Sequence, residues 1–243
     1  MPKRLRQQKR GKGTSVYSAP DFKYKYVSKY RTYDDIEKNG ILKGKVIDIV
    51  NDIVRSCPLM IVKFENGDEI TVPAPYYIKV GDEIQCGKDA AVSVGNIIPL
   101  KNIPPGTDIY NIELNPGDCG KVVRSAGSSA KIISHEGNKT IVRLPSKQFK
   151  SLSSDCRATI GIAAGFGKLL KPIAKAGKHY HMLHSRGIYW PHVCGAAMNR
   201  VNHPFGGKRR STQKKDKTRS RRLPPGKKVG SIAARRTGYA KKR

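Results

Sequence analysis

Five side chains between residues 179 and 194 are of the types that bind metal ions: His179, His181, His184, His192 and Cys194. A zinc site needs three or four such groups in a tetrahedral arrangement, and these spacings match no standard zinc motif. The nearest acids, Asp155 and Asp216, lie too far along the chain to serve as an adjacent general base. We therefore expect no metal, no cofactor and no catalytic residue, and we expect these histidines to stack on bases or contact phosphate.

Two glycine-containing loops have the composition of backbone-contacting segments. The stretch Gly165-Phe166-Gly167-Lys168 lacks the strand–loop–helix setting and the following Ser or Thr of a nucleotide-binding loop. Because glycine lets the main chain approach a ligand closely, Lys168 is predicted to contact RNA. The second loop runs from Gly195 to Gly207, and its composition fits equally a segment that threads between RNA helices and a plain surface loop.

Aromatic and cationic residues alternate in the N-terminal segment from Phe22 to Tyr33. Aromatic rings stack on unpaired bases while neighbouring cations bind phosphates, which is typical of proteins that bind irregular RNA. The pattern also fits an edge strand that packs one aromatic face on a β-barrel. Both interpretations stay open, with Tyr24 and Lys25 as the predicted RNA contacts.

The net charge is the strongest indication of a partner. The chain has 48 Lys and Arg against 18 Asp and Glu, a net charge of +30. Residues 166–243 hold 22 of the basic residues and a single acid, whereas residues 41–100 carry a net charge of −2. A charge of this size indicates a polyanionic partner. Nucleic acid is the usual one, because each phosphate that a Lys or Arg neutralises releases counterions, and this release favours binding. We expect the ends to order on RNA and the middle to fold alone.

Membrane, export and redox signals are weak. No apolar stretch follows the basic N-terminus, and no basic amphipathic helix has the apolar face that a lipid surface requires. We therefore predict no membrane partner and a cytoplasmic location. The five cysteines never form a C-x-x-C pair, so neither a disulfide framework nor a cysteine-rich zinc finger is expected.

Runs of β-branched residues separated by turn formers predict an all-β fold. Strands are predicted at 45–50, 59–64, 69–72 and after Lys79, and then at 108–114, 120–126, 130–137, 139–145 and 157–163. Asn66-Gly67 predicts a hairpin. Short strands at this spacing are typical of small closed barrels, so two barrels are predicted with a junction near 88–100. Short helices are expected at 34–40 and within 165–178.

Six motifs lie in one order along most of the chain. They are GNIIPLKNIPPGTDIYNIELNPGDCGKVVRSAGSSAKII (95–133), VRLPS (142–146), CRATIG (156–161), RGIYWPHVCGAAMN (186–199), NHPFGG (202–207) and PPGKKVGSIAARRTG (224–238). Together they closely resemble the universal large-ribosomal-subunit protein two, the L-two family, and the last motif resembles its archaeal and eukaryotic branch. The resemblance implies an oligonucleotide-binding (OB) barrel at 41–90 and an SH3-like barrel at 91–165. A basic extension at 1–40 and an extended RNA-binding region at 166–243 would flank them.

The same resemblance implies a structural, non-enzymatic role in the large ribosomal subunit. The implied site lies on large-subunit rRNA near the peptidyl-transferase centre and the subunit interface, in support of subunit association and tRNA placement. The implied partners are that rRNA, other large-subunit proteins and the small subunit. RNA contacts are predicted for Arg4, Arg6, Lys9, Arg10, Tyr24, Lys25, Lys168, Arg186, His192, Asn199, Arg200, His203, Lys208, Arg209, Arg210, Arg235 and Arg236.

One family residue has been credited with a role in peptidyl transfer, the histidine of its His-Pro-x-Gly-Gly loop, which corresponds to His203. Bacterial members place an acid directly before this histidine, where the present chain has Asn202. Without an acid to orient the ring or raise its basicity, His203 is predicted to pack or to contact RNA rather than act as a base.

Two other functions stay open. One is a metal-dependent nucleic-acid-processing enzyme that uses residues 179–194, and the other is a chromatin-type protein that packs DNA. Metal analysis would separate the first from a ribosomal role, and competition between structured RNA and duplex DNA would separate the second.

Overall fold

The computed structural model describes residues 2–18, 22, 25–207 and 218–234. The chain groups into two compact units. We call residues 21–174 the barrel unit, and residues 1–20 with 175–243 the terminal unit.

The described part of the barrel unit contains ten strands in one hydrogen-bonded sheet. They are β1 (Ile41–Val50), β2 (Leu59–Phe64), β3 (Glu69–Pro73), β4 (Glu83–Gly87), β5 (Ile97–Pro99), β6 (Asp108–Tyr110), β7 (Ala130–Glu136), β8 (Lys139–Arg143), β9 (Phe149–Ser153) and β10 (Arg157–Ile160). Their order is β3-β2-β1-β4-β5-β10-β6-β7-β8-β9, and only β4 and β5 pair in parallel. The predicted all-β class is confirmed.

Among the described residues of this unit there are two large apolar cores and a smaller third cluster around Tyr110 and Cys57, and β5 contributes to both large cores. Ile97 packs with Val46, Met60 and other side chains of β1–β4. The next residue, Ile98, packs with Ile109, Ile132 and other side chains of β6–β10. Successive side chains of a strand point to opposite faces, so one three-residue strand can serve both cores. The predicted bounds of 41–90 and 91–165 for separate barrels stay a prediction.

The strand predictions succeed where turn chemistry is simple. Gly67 turns the predicted hairpin between β2 and β3 with a φ of +89°. The strand predicted at 120–126 is wrong, because Gly120 and Val123 have positive φ and only Ile112 and Val122 form a bridge. A side chain at Gly120 would lie 2.4 Å from the amide oxygen of Asn111, so the chain turns closely over that buried residue. The strands β5 and β9 were not predicted.

A buried ionic cluster anchors the segment that precedes β1. The guanidinium of Arg157, which is 1% exposed, bonds the carboxylates of Glu113 (2.8 Å) and Glu37 (2.7 Å). Glu37 lies on the short helix α2 (Asp35–Asn39) and also pairs with Arg31 at 3.3 Å. Burial alone would lower the pKa of Arg157, but its hydrogen bond with Glu113 and the two carboxylate charges raise that pKa above the ordinary range.

The aromatic residues of the same segment pack inward in part. The Tyr30 hydroxyl donates to the carbonyl oxygen of Asn111 (2.6 Å), and burial raises the pKa of this hydroxyl above its ordinary value. The Tyr30 ring is 4% exposed and lies beneath Arg157, with its centroid 5.3 Å from the guanidinium carbon. Of the two interpretations of the aromatic–cation alternation, packing on the barrel therefore holds for Tyr30.

The described part of the terminal unit consists of short helices, turns and loops. The helices are α1 (Arg6–Lys9) and α4 (Ala176–His184), and 3-10 turns lie at Gly195–Ala197 and Pro225–Lys227. One further short helix, α3 (Gly167–Leu170), lies in the barrel unit. Short helices are expected at 34–40 and within 165–178, and α2 and α3 confirm them, whereas α4 begins at Ala176 and extends beyond the second range. Leu5 and Val229 are each 6% exposed and supply the buried apolar contacts of this unit. Among the described residues, no helix is long and apolar enough to cross a bilayer.

Candidate nucleic-acid interface

The two units differ sharply in charge. The terminal unit contains 26 Lys and Arg residues and one acid, Asp216, whereas the barrel unit contains 22 basic and 17 acidic residues. The barrel unit is therefore close to balanced, and the excess positive charge of the protein lies in the terminal unit.

The ion pairs follow the same division. Every ion pair found among the described residues joins side chains of the barrel unit, from Arg31 to Arg157. In the described part of the terminal unit there is no carboxylate side chain to pair with a cation. Its cations are therefore free to bind an external polyanion without first breaking an internal pair.

The loop from Gly195 to Gly207 is compact rather than extended. Two glycines allow it to fold on itself. A Cβ at Gly195 would lie 2.4 Å from the His203 ring, and a Cβ at Gly206 would lie 2.4 Å from the carbonyl oxygens of Met198 and Asn199. The main-chain N–H of Gly207 donates to the carbonyl oxygen of Met198 (3.2 Å), and this hydrogen bond closes the loop.

The N-terminal segment packs along this loop within the same unit. The Lys3 N–H donates to the carbonyl oxygen of Val201 at 2.8 Å. The Arg6 guanidinium donates to the Val193 carbonyl (3.1 Å), and its central carbon lies 4.9 Å from the centroid of the Tyr189 ring. Arg6 is thus held by main-chain and aromatic contacts, which leave most of its five N–H donors available to a ligand.

His203 is held in one tautomer. Its Nδ1 accepts the main-chain N–H of Phe205 at 3.0 Å, so a neutral ring must carry its proton on Nε2. Burial, and then the charge of Arg6, lower the pKa of His203 below its ordinary value. At neutral pH the ring therefore offers an N–H donor and resists taking up a second proton. This chemistry suits a hydrogen bond to RNA better than general-base catalysis.

The other histidines of the unit contact aromatic rings. His179 lies 4.6 Å from Trp190, His184 stacks on Tyr180 at 5.6 Å, and His192 lies 5.6 Å from Tyr189, measured between ring centroids. Among the described residues, no group of three or more His, Cys, Asp and Glu side chains is placed to hold a metal ion.

The predicted RNA contacts fall into three sets. Arg4, Lys9, Arg10, His192, Asn199 and Arg200 are exposed in the terminal unit, where Arg6, Arg186 and His203 are half-buried. Lys25 and Lys168 are exposed in the barrel unit. Tyr24, Lys208, Arg209, Arg210, Arg235 and Arg236 lie outside the described residues. Arg4, Arg6, Lys9 and His203 are brought together, since all four line one cleft of the terminal unit.

Sequence reasoning missed two tyrosines of this cleft. Tyr17 and Tyr189 line it, with ring centroids 6.1 Å apart. Both are aromatic residues near basic ones, but neither lies in the stretch from residue 22 to 33 where aromatic and cationic residues alternate. Their proximity depends on the pairing of the two ends of the chain, which local sequence does not reveal.

The class of protein follows from these observations. An all-β unit of nearly balanced charge is combined with a strongly basic unit whose described cations form no ion pair, as in proteins that bind a nucleic acid.

Comparison with known proteins identifies the family. Residues 93–226 match the family model described as Ribosomal Proteins L2, C-terminal domain. The large ribosomal subunit protein uL2 of Methanocaldococcus jannaschii is 50% identical over 242 residues, which cover 99% of this chain and all of that protein. The protein of the same name from Methanococcus maripaludis is 52% identical over 238 residues, which cover 98% of this chain and 99% of that protein.

The chain belongs to the uL2 family of ribosomal proteins. Both of these relatives come from archaea, so the archaeal and eukaryotic branch that the last motif indicates is confirmed. The two β cores of the barrel unit agree with the family fold, an OB barrel followed by an SH3-like barrel.

Proposed function

We propose that this protein is a structural component of the large ribosomal subunit that binds and stabilises large-subunit rRNA through its terminal unit. The supporting observation is the charge division. Twenty-six basic residues share the terminal unit with one acid, and the ion pairs found among the described residues all lie in the barrel unit. Cations that form no internal ion pair can bind phosphates without an existing pair being broken first.

The two units divide the work. The barrel unit is stabilised by its two large apolar cores and by the buried Arg157 cluster. The terminal unit offers short, polar, glycine-containing segments that fit the irregular grooves of folded RNA better than a long helix would. Phosphate contacts fix position without reading sequence, so recognition rests mainly on RNA shape.

The position in the ribosome is proposed from the family. We place the protein near the peptidyl-transferase centre and the subunit interface, in contact with other large-subunit proteins and with the small subunit, in support of subunit association and tRNA placement. We assign His203 a positioning role in this region. Its engaged Nδ1 and its lowered pKa make it a hydrogen-bond donor rather than a base.

Binding to a large-subunit rRNA fragment at several salt concentrations tests the proposal. The logarithm of the binding constant should fall with the logarithm of salt concentration with a slope steeper than about −3, because several phosphates are neutralised at once. Arg200→Gln, which removes one exposed cation, should make the slope shallower by about 1. Lys139→Gln removes an exposed cation of the barrel unit and serves as the control. A wild-type slope shallower than about −3 would reject the proposal.

The role of His203 is tested separately in assembled particles. His203→Ala should impair assembly or tRNA placement while peptide-bond formation in the particles that do assemble stays near the wild-type rate. Loss of peptide-bond formation in structurally intact particles would show that the ring takes part in the chemistry.

A further inference from the structure

A cleft with a volume of about 660 Å³ lies in the terminal unit. A cleft of this size is in the range that holds small organic ligands. Its walls come from the N-terminal segment and from the loop that contains His203, and its apolar contacts include the buried side chains of Leu5 and Val229. It is therefore a built concavity and not a gap between exposed chains.

The aromatic and cationic groups of the cleft are arranged together. Tyr17 and Tyr189 line it, and the Arg6 guanidinium lies over the Tyr189 ring. Tyrosine rings and planar guanidinium groups are the side chains on which unstacked nucleobases stack. Arg6 is held in place by its bond to Val193, so it is ordered before any ligand arrives.

Hydrogen-bonding groups complete the cleft. Asn202 lines it with an amide that both donates and accepts, and His203 lines it with an Nε2–H donor. None of the described residues that line the cleft carries a carboxylate. A ligand with a flat aromatic body, polar edges and a negative charge matches this set, whereas a cationic ligand or a purely apolar one does not.

We propose that this cleft binds a single unstacked nucleotide of RNA, with its base against Tyr189 and Arg6 and its edge toward Asn202 and His203. The proposal rests on the RNA-binding function proposed above and adds a base-binding site to it. A base within a helix is covered by its neighbours, so the nucleotide must come from a loop, a bulge or a single strand. The cleft thus adds a preference for unpaired RNA to the shape-based binding of the exposed cations.

The test uses the full chain with a short oligouridylate and an RNA duplex of equal length as probes, at about 0.3 M salt to screen the exposed cations. Tyr189→Leu should weaken binding of the oligouridylate about tenfold, because one base–aromatic stack is lost. Binding of the duplex should change by less than about twofold. Tyr189→Phe keeps the ring and should bind as the wild type does. Tyr76→Leu, at a tyrosine of the barrel unit that is 47% exposed, is the matched control and should leave both affinities unchanged.

Crosslinking of the wild-type chain gives a readout that does not depend on how a variant folds. Oligouridylate containing 4-thiouridine should crosslink to Tyr17, Tyr189 or His203 on irradiation. Crosslinks confined to residues outside the cleft would overturn the site, and so would equal losses of affinity for Tyr189→Leu and Tyr76→Leu. Competition by oligoglutamate as strong as that by oligouridylate would also overturn it in favour of an acidic peptide.

These results separate the two proposals. If the wild-type chain binds rRNA with a steep salt slope but fails the cleft tests, only the base-binding site is wrong. If it binds neither probe and shows a shallow salt slope, the RNA-binding function itself is wrong.

Discussion

Replacing the buried cation Arg157 with methionine tests how the barrel unit is held together. Met fills much of the same volume but removes the bonds to Glu37 at 2.7 Å and to Glu113 at 2.8 Å. It also removes a bond to the main-chain oxygen of Arg31 at 3.0 Å. The two carboxylates, each with 0% side-chain exposure, then remain buried with fewer partners.

The expected loss of unfolding free energy depends on the hydrogen-bond partners that each carboxylate retains. Glu37 retains its contact with Arg31 at 3.3 Å, and Glu113 retains main-chain N–H donors from Cys119 (3.0 Å) and residue 157 (2.9 Å). Removing one partner of a buried ion pair costs about 3–5 kcal/mol, and the remaining partners place the expected loss near the middle, about 4 kcal/mol. With a urea dependence of about 2 kcal/mol per molar, the unfolding midpoint should fall by about 2 M.

Urea unfolding of the full chain, followed by circular dichroism of the sheet, measures this shift. Lys101→Met is the matched control, because Lys101 also pairs with a carboxylate at 2.9 Å, that of Asp155, but both side chains are exposed. An exposed pair contributes about 0–1 kcal/mol, so its midpoint should move by less than about 0.5 M.

Two outcomes would refute this reasoning. One is an equal midpoint for Arg157→Met and Lys101→Met, which would mean that burial adds nothing to the pair. The other is an Arg157→Met variant as stable as the wild type. If Arg157→Met does not fold, Glu37→Gln provides the milder test. It keeps the shape of the side chain and should lower the free energy of unfolding by about 1–3 kcal/mol.

Gly206→Ala should distort the His203 loop and increase its hydrogen exchange, because the new Cβ meets two carbonyl oxygens at 2.4 Å; Gly177→Ala, with no atom within 4 Å, should not. Equal exchange in both variants would contradict the close packing. A maleimide at neutral pH should label the exposed Cys194 before the three buried cysteines, two of which have a thiol pKa raised by burial to about 11. Bound rRNA should slow that reaction, as mass spectrometry would show. Arg6→Gln should raise the pKa of His203 toward its ordinary value, and an unchanged NMR titration would contradict the proximity of the two charges.

The lowered pKa of His203 makes the stability of its loop depend on pH. The folded pKa of His203 lies below the ordinary value, so the unfolded loop takes up its proton first as the pH falls. The stability that the neutral ring contributes is therefore present above the ordinary histidine pKa and is lost progressively below it. Hydrogen exchange of residues 195–207 should rise as the pH falls through this window, after correction for the intrinsic exchange rate.

Much of the barrel unit could be predicted because its signals are local. The strands β2 and β3 and the turn at Gly67 depend on β-branched residues and on one glycine with positive φ. The failure at 120–126 has a different origin. Val122 and Val123 have strand-forming side chains, but the path of the chain there is set by the buried Asn111 that it turns over.

The buried cluster could not be predicted because it joins distant parts of the chain. Nothing in the local sequence distinguishes Arg157 from an exposed arginine. Its partner Glu37 lies 120 residues earlier, and only the folded structure brings the two side chains together. The cleft of the terminal unit has the same character. Its cations can be predicted from the charge distribution and the family resemblance, whereas the proximity of Tyr17 and Tyr189 depends on how the two ends of the chain pack together.

Crosslinking between protein and rRNA in assembled large subunits tests most directly whether the basic residues of the terminal unit bind the RNA. Mass spectrometry of the crosslinked peptides would assign each contact to a part of the chain. We expect most crosslinks within residues 1–20 and 175–243, where one acid accompanies 26 basic residues. Crosslinks found mainly at 41–100, where the net charge is −2, would contradict this assignment.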